Sequence, residues 1–88
     1  DEQLSVIGQY ALNFSADVSG LCYDVSNNCL WIVSDQSRLL AKCRRDGQLI
    51  KSYPLQIEKA EGVAFNSANS VIYIVSDEEE KLFVYSIG

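Results

Sequence analysis

Shifted by 42 residues, the sequence falls on itself without a gap. Gly20 meets Gly62, Asn27 meets Asn69, Leu40 meets Leu82, and Ile32-Val33-Ser34-Asp35 meets Ile74-Val75-Ser76-Asp77. These seven identities over the 25 positions from Ser19 to Cys43 are joined by substitutions that keep size and polarity: Leu21 for Val63, Tyr23 for Phe65, Leu30 for Ile72, Trp31 for Tyr73. Upstream, Tyr10-Ala11-Leu12 matches Tyr53-Pro54-Leu55 at an offset of 43, a one-residue loop difference. The chain is therefore two copies of one unit, and any fold it adopts has to be made of that unit twice.

Within a copy the apolar runs are short, rich in β-branched and aromatic residues, and punctuated by turn formers, which is strand character. The pattern predicts strands over 20–23, 29–34, 39–44 and 48–55. Between them lie Asp24-Val25-Ser26-Asn27-Asn28, whose Asp and Asn side chains bond nearby backbone and tolerate positive φ, the turn 35–38, and Arg45-Asp46-Gly47 with the Asp-Gly signal of a tight hairpin. The second copy repeats strands over 62–65, 71–76 and 81–87 and supplies no fourth. Residues 4–12 stand in the fourth-strand position ahead of the first copy and are expected to complete the last unit. Four-stranded antiparallel units at this period are the mark of β-propeller blades. The expected fold is all-β: one two-blade unit spanning 1–88, with blade one at about 18–55 and blade two at about 61–87 plus the strand 4–12. Leu30-Trp31-Ile32-Val33 is apolar on consecutive residues, as a strand buried on both faces requires. Two blades alone leave two apolar faces uncovered, which marks an interaction surface.

Charge and composition narrow the function classes. At 9.8 kDa the chain has room for one domain at most, and 48% apolar against 22% charged residues is a globular balance. The net charge of −5 opposes nucleic-acid binding, which needs clustered cations to displace counterions from phosphates. The longest uncharged apolar runs, such as 71–75, fall far short of the roughly 18 residues of a membrane-spanning helix. With no His, the Ser-His-Asp and Cys-His mechanisms and imidazole metal sites are excluded. The start at Asp1-Glu2, without Met or a signal segment, is expected of a processed chain or an excised piece of a longer one.

Glu61-Gly62-Val63-Ala64-Phe65, together with Val33-Ser34-Asp35 and Val75-Ser76-Asp77-Glu78, resembles the repeat of the SdiA-regulated family of bacterial six-bladed propellers. The NHL repeat and the Tyr-Trp-Thr-Asp repeat of lipoprotein-receptor propellers are similar through Leu30-Trp31-Ile32-Val33-Ser34-Asp35, the latter departing by Ser in place of Thr and by an intervening Val. The resemblance implies six blades, an extracytoplasmic setting, whether periplasmic or at the membrane periphery, and no established catalytic residues. Since two blades go three times into six, a homotrimer is the expected assembly. The leading function is a non-catalytic binding or interaction scaffold with a central channel, taking a small ligand or a protein partner. The alternatives are a calcium-dependent hydrolase resembling lactonase propellers, and an excised or engineered propeller fragment without native activity.

Glu61 begins the innermost strand of its blade, and the lactonase-like resemblance makes it a candidate ligand for calcium; its repeat mate is Ser19, so a strand-start role is the alternative. Asp35 and Asp77 recur at the end of the second strand, as expected of structural carboxylates in the following turn. Trp31 and Tyr73 are equivalent and are expected in the packing between blades. Asp77-Glu78-Glu79-Glu80 reads as a solvated acidic turn without the spacing of an EF-hand loop. Cys22, Cys29 and Cys43 align with Ala64, Val71 and Tyr85, so buried structural thiols are expected, with a Cys22–Cys29 bridge across one hairpin as the alternative. Arg38, Arg44 and Arg45 are expected as surface charges.

Overall fold

Seven strands in two antiparallel sheets make up the regular structure of the computed structural model, which describes residues 2–15 and 17–87. Blade one holds β1 (Gly20–Asp24), β2 (Cys29–Ser34), β3 (Leu39–Cys43) and β4 (Leu49–Pro54) in the order of the sequence; blade two holds β5 (Ala60–Asn66), β6 (Val71–Ser76) and β7 (Lys81–Ser86). Among the described residues there is no helix, so none is long and apolar enough to cross a membrane.

The turns explain why the strands stop where they do. Asn28 and Arg38 in blade one, and their repeat mates Ser70 and Glu80 in blade two, close four of the hairpins in the left-handed region at φ between 49° and 54°. The β3–β4 hairpin is tighter. Arg44 and Gln48 face each other through Arg44 N–H to Gln48 O, Gly47 N–H donates to Arg44 O, and Gly47 takes φ 87°. A three-residue loop of this kind needs a left-handed residue in its last place, which Gly adopts without steric cost.

Pairing sets which side chains share a face. Cys22 opposite Trp31 and Val33 opposite Leu40 put Cys22, Trp31, Val33 and Leu40 on one face of blade one. That face packs with Leu55, Ile57, Ala60, Ile72 and Ile74 into the main core between the blades. The other face of blade one carries Leu21, Leu30, Ile32, Ala41 and Cys43, and its smaller cluster is capped by Leu12 and Phe14. Blade two repeats the arrangement in the same sense: Ile72, Ile74 and Phe83 turn toward blade one, while Tyr73, Val75, Leu82 and Val84 lie on the far face.

Residues 4–12 form no strand in the single chain, so blade two has three strands and β7 is an edge. The reason is positional. Leu12 and Phe14 hold the end of the segment on the face of blade one that looks away from blade two, whereas β7 is the last strand of blade two.

Candidate functional site

Two kinds of feature compete for function here: polar clusters at the ends of the strands, and the two uncovered blade faces. The strongest polar cluster surrounds Asp24, whose residue is 1% exposed at the end of β1. Its Oδ2 accepts from Asn27 Nδ2 at 2.8 Å, from Trp31 Nε1 at 3.2 Å and from the Cys29 thiol at 3.8 Å, and its Oδ1 accepts the Asn27 N–H at 3.1 Å. Burial opposes ionisation of this carboxyl, but the donated hydrogen bonds, those from Asn27 foremost, outweigh it and hold Asp24 below its ordinary value. These bonds tie the end of β1 to the turn and to β2, so the cluster fastens the first hairpin.

A second carboxylate fastens the chain as it enters β1. Asp17 Oδ1 accepts from the Ser34 hydroxyl and from Gln36 N–H at 3.0 Å, and Oδ2 accepts from Ser19 Oγ at 3.2 Å. The Ser34 hydrogen bond is the largest influence and lowers the Asp17 pKa against a smaller opposing effect of burial. In blade two the Ser76 hydroxyl donates instead to the carbonyl of Glu58. Ser34 and Ser76, both buried, also accept the Ser37 and Glu79 N–H groups, so the oxygen capping each turn after β2 and β6 is the serine's. Asp35 and Asp77 sit one residue further on, the first half-buried and the second exposed; their backbone N–H groups donate to Ser19 Oγ and to Lys59 O.

Glu61 is exposed and occupies the β-bulge between Ala60 and Gly62 at the start of β5. Among the described residues no three Asp, Glu or Cys side chains gather into a cluster able to hold a metal ion. One chain thus supplies a single carboxylate at this point, against the roughly six to eight oxygens that calcium takes. The acidic turn does internal work in part, for Glu79 accepts the Glu58 N–H at 3.0 Å. Glu58 in turn receives both contacts of Arg38, at 2.7 and 2.8 Å, in a bridge between half-exposed side chains. Arg45 lies over the Tyr23 ring at 6.0 Å.

All three cysteines are free thiols. Cys22 faces Trp31 and Cys29 faces Asp24, so they are diagonal, not opposite. Burial is the main cause that raises each thiol pKa, reinforced by Asp24 beside Cys22 and Cys29 and by Asp46 beside Cys43. Thiols held in this state are poor nucleophiles.

The faces are different in kind. Trp31 is buried against Phe65 of blade two, with ring centroids 5.6 Å apart, and against Tyr53 at 6.2 Å, with Lys42 above the ring at 5.6 Å. Tyr73 occupies the equivalent place on blade two, where no sheet covers it and Val75, Leu82 and Val84 are exposed. Blade one's outer face likewise leaves Leu21 and Tyr23 exposed. The model of the SdiA-regulated family matches residues 3–87. The chain belongs to the SdiA-regulated family. No curated protein matches its sequence. The SdiA-regulated repeat accounts for both blades, and by the 42-residue offset the outer face of each blade is the repeat mate of a face packed inside the chain. Repeat periodicity flagged the blades but not the Asp24 or Asp17 clusters, because their mates in blade two are Asn66 and a linker of different spacing.

Proposed function

We propose that this chain is a non-catalytic interaction scaffold that self-associates, three copies completing a six-bladed ring whose central channel and loop faces take a small ligand or a protein partner. The observation that carries this reading is the match between its outer and packed faces. Trp31, Val33 and Leu40 pack against Ile72 and Ile74 inside the chain, and the repeat mates of these same residues lie on the two outer faces: Tyr73, Val75 and Leu82 at one end, and Leu30 and Ile32 at the other, where Leu12 and Phe14 of the chain's own N-terminal segment cover Ile32. A surface complementary to another surface of the same molecule gives head-to-tail contacts, and these close into a ring when the rotation between successive copies closes. Charge supports a scaffold over a polyanion binder, at net −5. The alternative class, hydrolysis at a carboxylate-held metal, gains no support from Glu61 standing alone on its bulge.

Light scattering behind size exclusion tests the reading. A solution mass of three times 9.8 kDa is expected. A monomeric or dimeric mass at micromolar concentration overturns the ring.

A further inference from the structure

Residues 4–9 present an anomaly that the scaffold alone does not resolve. Leu4 is 104% and Ile7 99% exposed, and Val6 is nearly as bare, in a segment that makes no strand. Apolar side chains placed this way are unfavourable unless something covers them. The edge of β7 has the opposite deficit. Its counterpart β3 is covered by β4, while β7 has no strand beyond it and its unpaired backbone groups are a template for one.

Where the segment leaves the chain joins the two observations. Leu55 and Ile57 follow β4 and are buried between blade one and blade two. At the offset of 43 their mates are Leu12 and Phe14, which pack on the outer face of blade one against Ile32, Ala41 and Cys43, the mates of Ile74, Phe83 and Tyr85. Leu12 and Phe14 therefore already stand as a preceding blade's exit would stand, and residues 4–11 correspond to the fourth strand of that blade. We propose that residues 4–11 of one copy pair antiparallel with β7 of a neighbouring copy, so that each chain lends its neighbour the strand that completes blade two. This inference rests on the ring proposed above and adds the element that locks it.

Blade one dictates the register. Leu40 pairs with Tyr53, Lys42 with Lys51 and Cys43 with Leu49, with a bulge between the last two. Carried over at 42 and 43, Leu82 faces Tyr10, Val84 faces Gly8, and Tyr85 faces Val6 of the neighbour, with Ile7 in the bulge. Tyr85 is on the side of blade two that meets blade one, beside an apolar groove lined by Tyr53, Leu55, Ile72 and Ile87. Val6 enters that groove, and Tyr10 joins Leu82 on the face that meets the next copy.

The experiment uses two variant chains, Tyr10→Cys and Leu82→Cys, unfolded and refolded together and treated with dibromobimane, which bridges only neighbouring thiols. Both positions are 58% exposed in the single chain, so neither substitution touches the core. A covalent heterodimer at trimeric mass is expected from the mixture and from neither variant alone; the pair Gly8→Cys and Val84→Cys gives the same result, and Gln9→Cys with Leu82→Cys does not, because Gln9 would face Phe83. A trimeric mass with no heterodimer from either pair overturns the strand exchange and leaves the ring standing. A monomeric mass without cross-linking overturns both, and a bridge formed inside a monomeric Tyr10→Cys/Leu82→Cys chain overturns the exchange between copies.

Discussion

A methyl group on Gly20 would lie 2.9 Å from the carbonyl oxygen of Glu61 and 3.1 Å from the Cα of Gly62, whereas a methyl group on Gly62 would meet no atom within 4 Å. These two glycines are repeat mates at the start of the innermost strands. The first lets the backbones of β1 and β5 approach; the second faces open space at the equivalent point of blade two.

Gly20→Ala therefore forces backbone apart inside the chain, and overpacking of this kind costs about 1–3 kcal/mol. Gly62→Ala meets no atom in the isolated chain and, by restricting the unfolded chain, raises its stability by about 0.4–1 kcal/mol. If self-association brings β1 of another copy against Gly62, the same substitution lowers the assembled fraction. Urea denaturation of both variants, with solution mass measured in parallel, checks the pair of outcomes; equal destabilisation of the isolated chain by both would contradict the asymmetry.

Asp24 makes stability depend on acid. Its pKa in the folded chain lies below the ordinary value because Asn27, Trp31 and Cys29 donate to the carboxylate in spite of burial. In the unfolded chain Asp24 binds a proton near its ordinary value of about 3.9. The unfolded state thus takes up more protons as pH falls, so the contribution is fully present above that value and is lost as pH drops through it toward the folded pKa. Asp24→Ala strips an acceptor from buried donors and is expected to cost about 3 kcal/mol at pH 7, from the lost charge-assisted bonds and the stranded Trp31 N–H. The difference between the parent chain and this variant shrinks between pH 5 and pH 3, as chemical denaturation at stepped pH would reveal; a constant difference across that range would rule out the linkage.

Why some of this was legible in the sequence and some was not follows from the physics of particular residues. The strands were readable because each is bounded by a turn with its own chemistry, as with Asp46-Gly47, and because the apolar positions of β1 and β2 are met again 42 residues later. Which of Ser34 and Asp35 caps the turn was not readable, since both recur in the repeat and adjacent strand residues point to opposite faces. The Asp24 cluster was hidden for a different reason: its donor Trp31 is seven residues away and comes into reach only when β1 and β2 pair. Residues 4–12 have a strand's composition, but a strand exists only beside a partner, and Leu12 and Phe14 anchor the segment on blade one while the edge strand β7 is in blade two.

Ser70 offers a stabilising change. It holds φ 54°, and its mate Asn28 holds φ 51°. Left-handed backbone costs an ordinary residue about 1 kcal/mol or more, and Asn or Gly far less. Ser70→Gly and Ser70→Asn are each expected to raise stability by about 0.5–1 kcal/mol, because Ser70 is exposed and the backbone oxygen that accepts from Ile87 N–H is kept in both variants. Thermal melting of the two variants measures this, and a fall in the melting temperature for both would contradict it.

Trp31 and Tyr73 separate folding from association. Trp31 is the only Trp, is 1% exposed, stacks on Phe65 across the blade contact and donates to Asp24. Trp31→Ala removes the largest side chain of the core and should cost about 3–5 kcal/mol, a large share of what a domain this small possesses. Trp31→Phe keeps most of the packing but leaves Asp24 one donor short, with an expected loss of about 1–2 kcal/mol. Tyr73 is the same position one blade on, where its ring meets no neighbouring sheet, so Tyr73→Ala should change the isolated chain's stability by less than about 1 kcal/mol. Circular dichroism during urea titration ranks the three variants. A Tyr73→Ala loss as large as that of Trp31→Ala would mean that the outer face of blade two is already packed within one chain, and the equivalence between packed and free faces would fail with it.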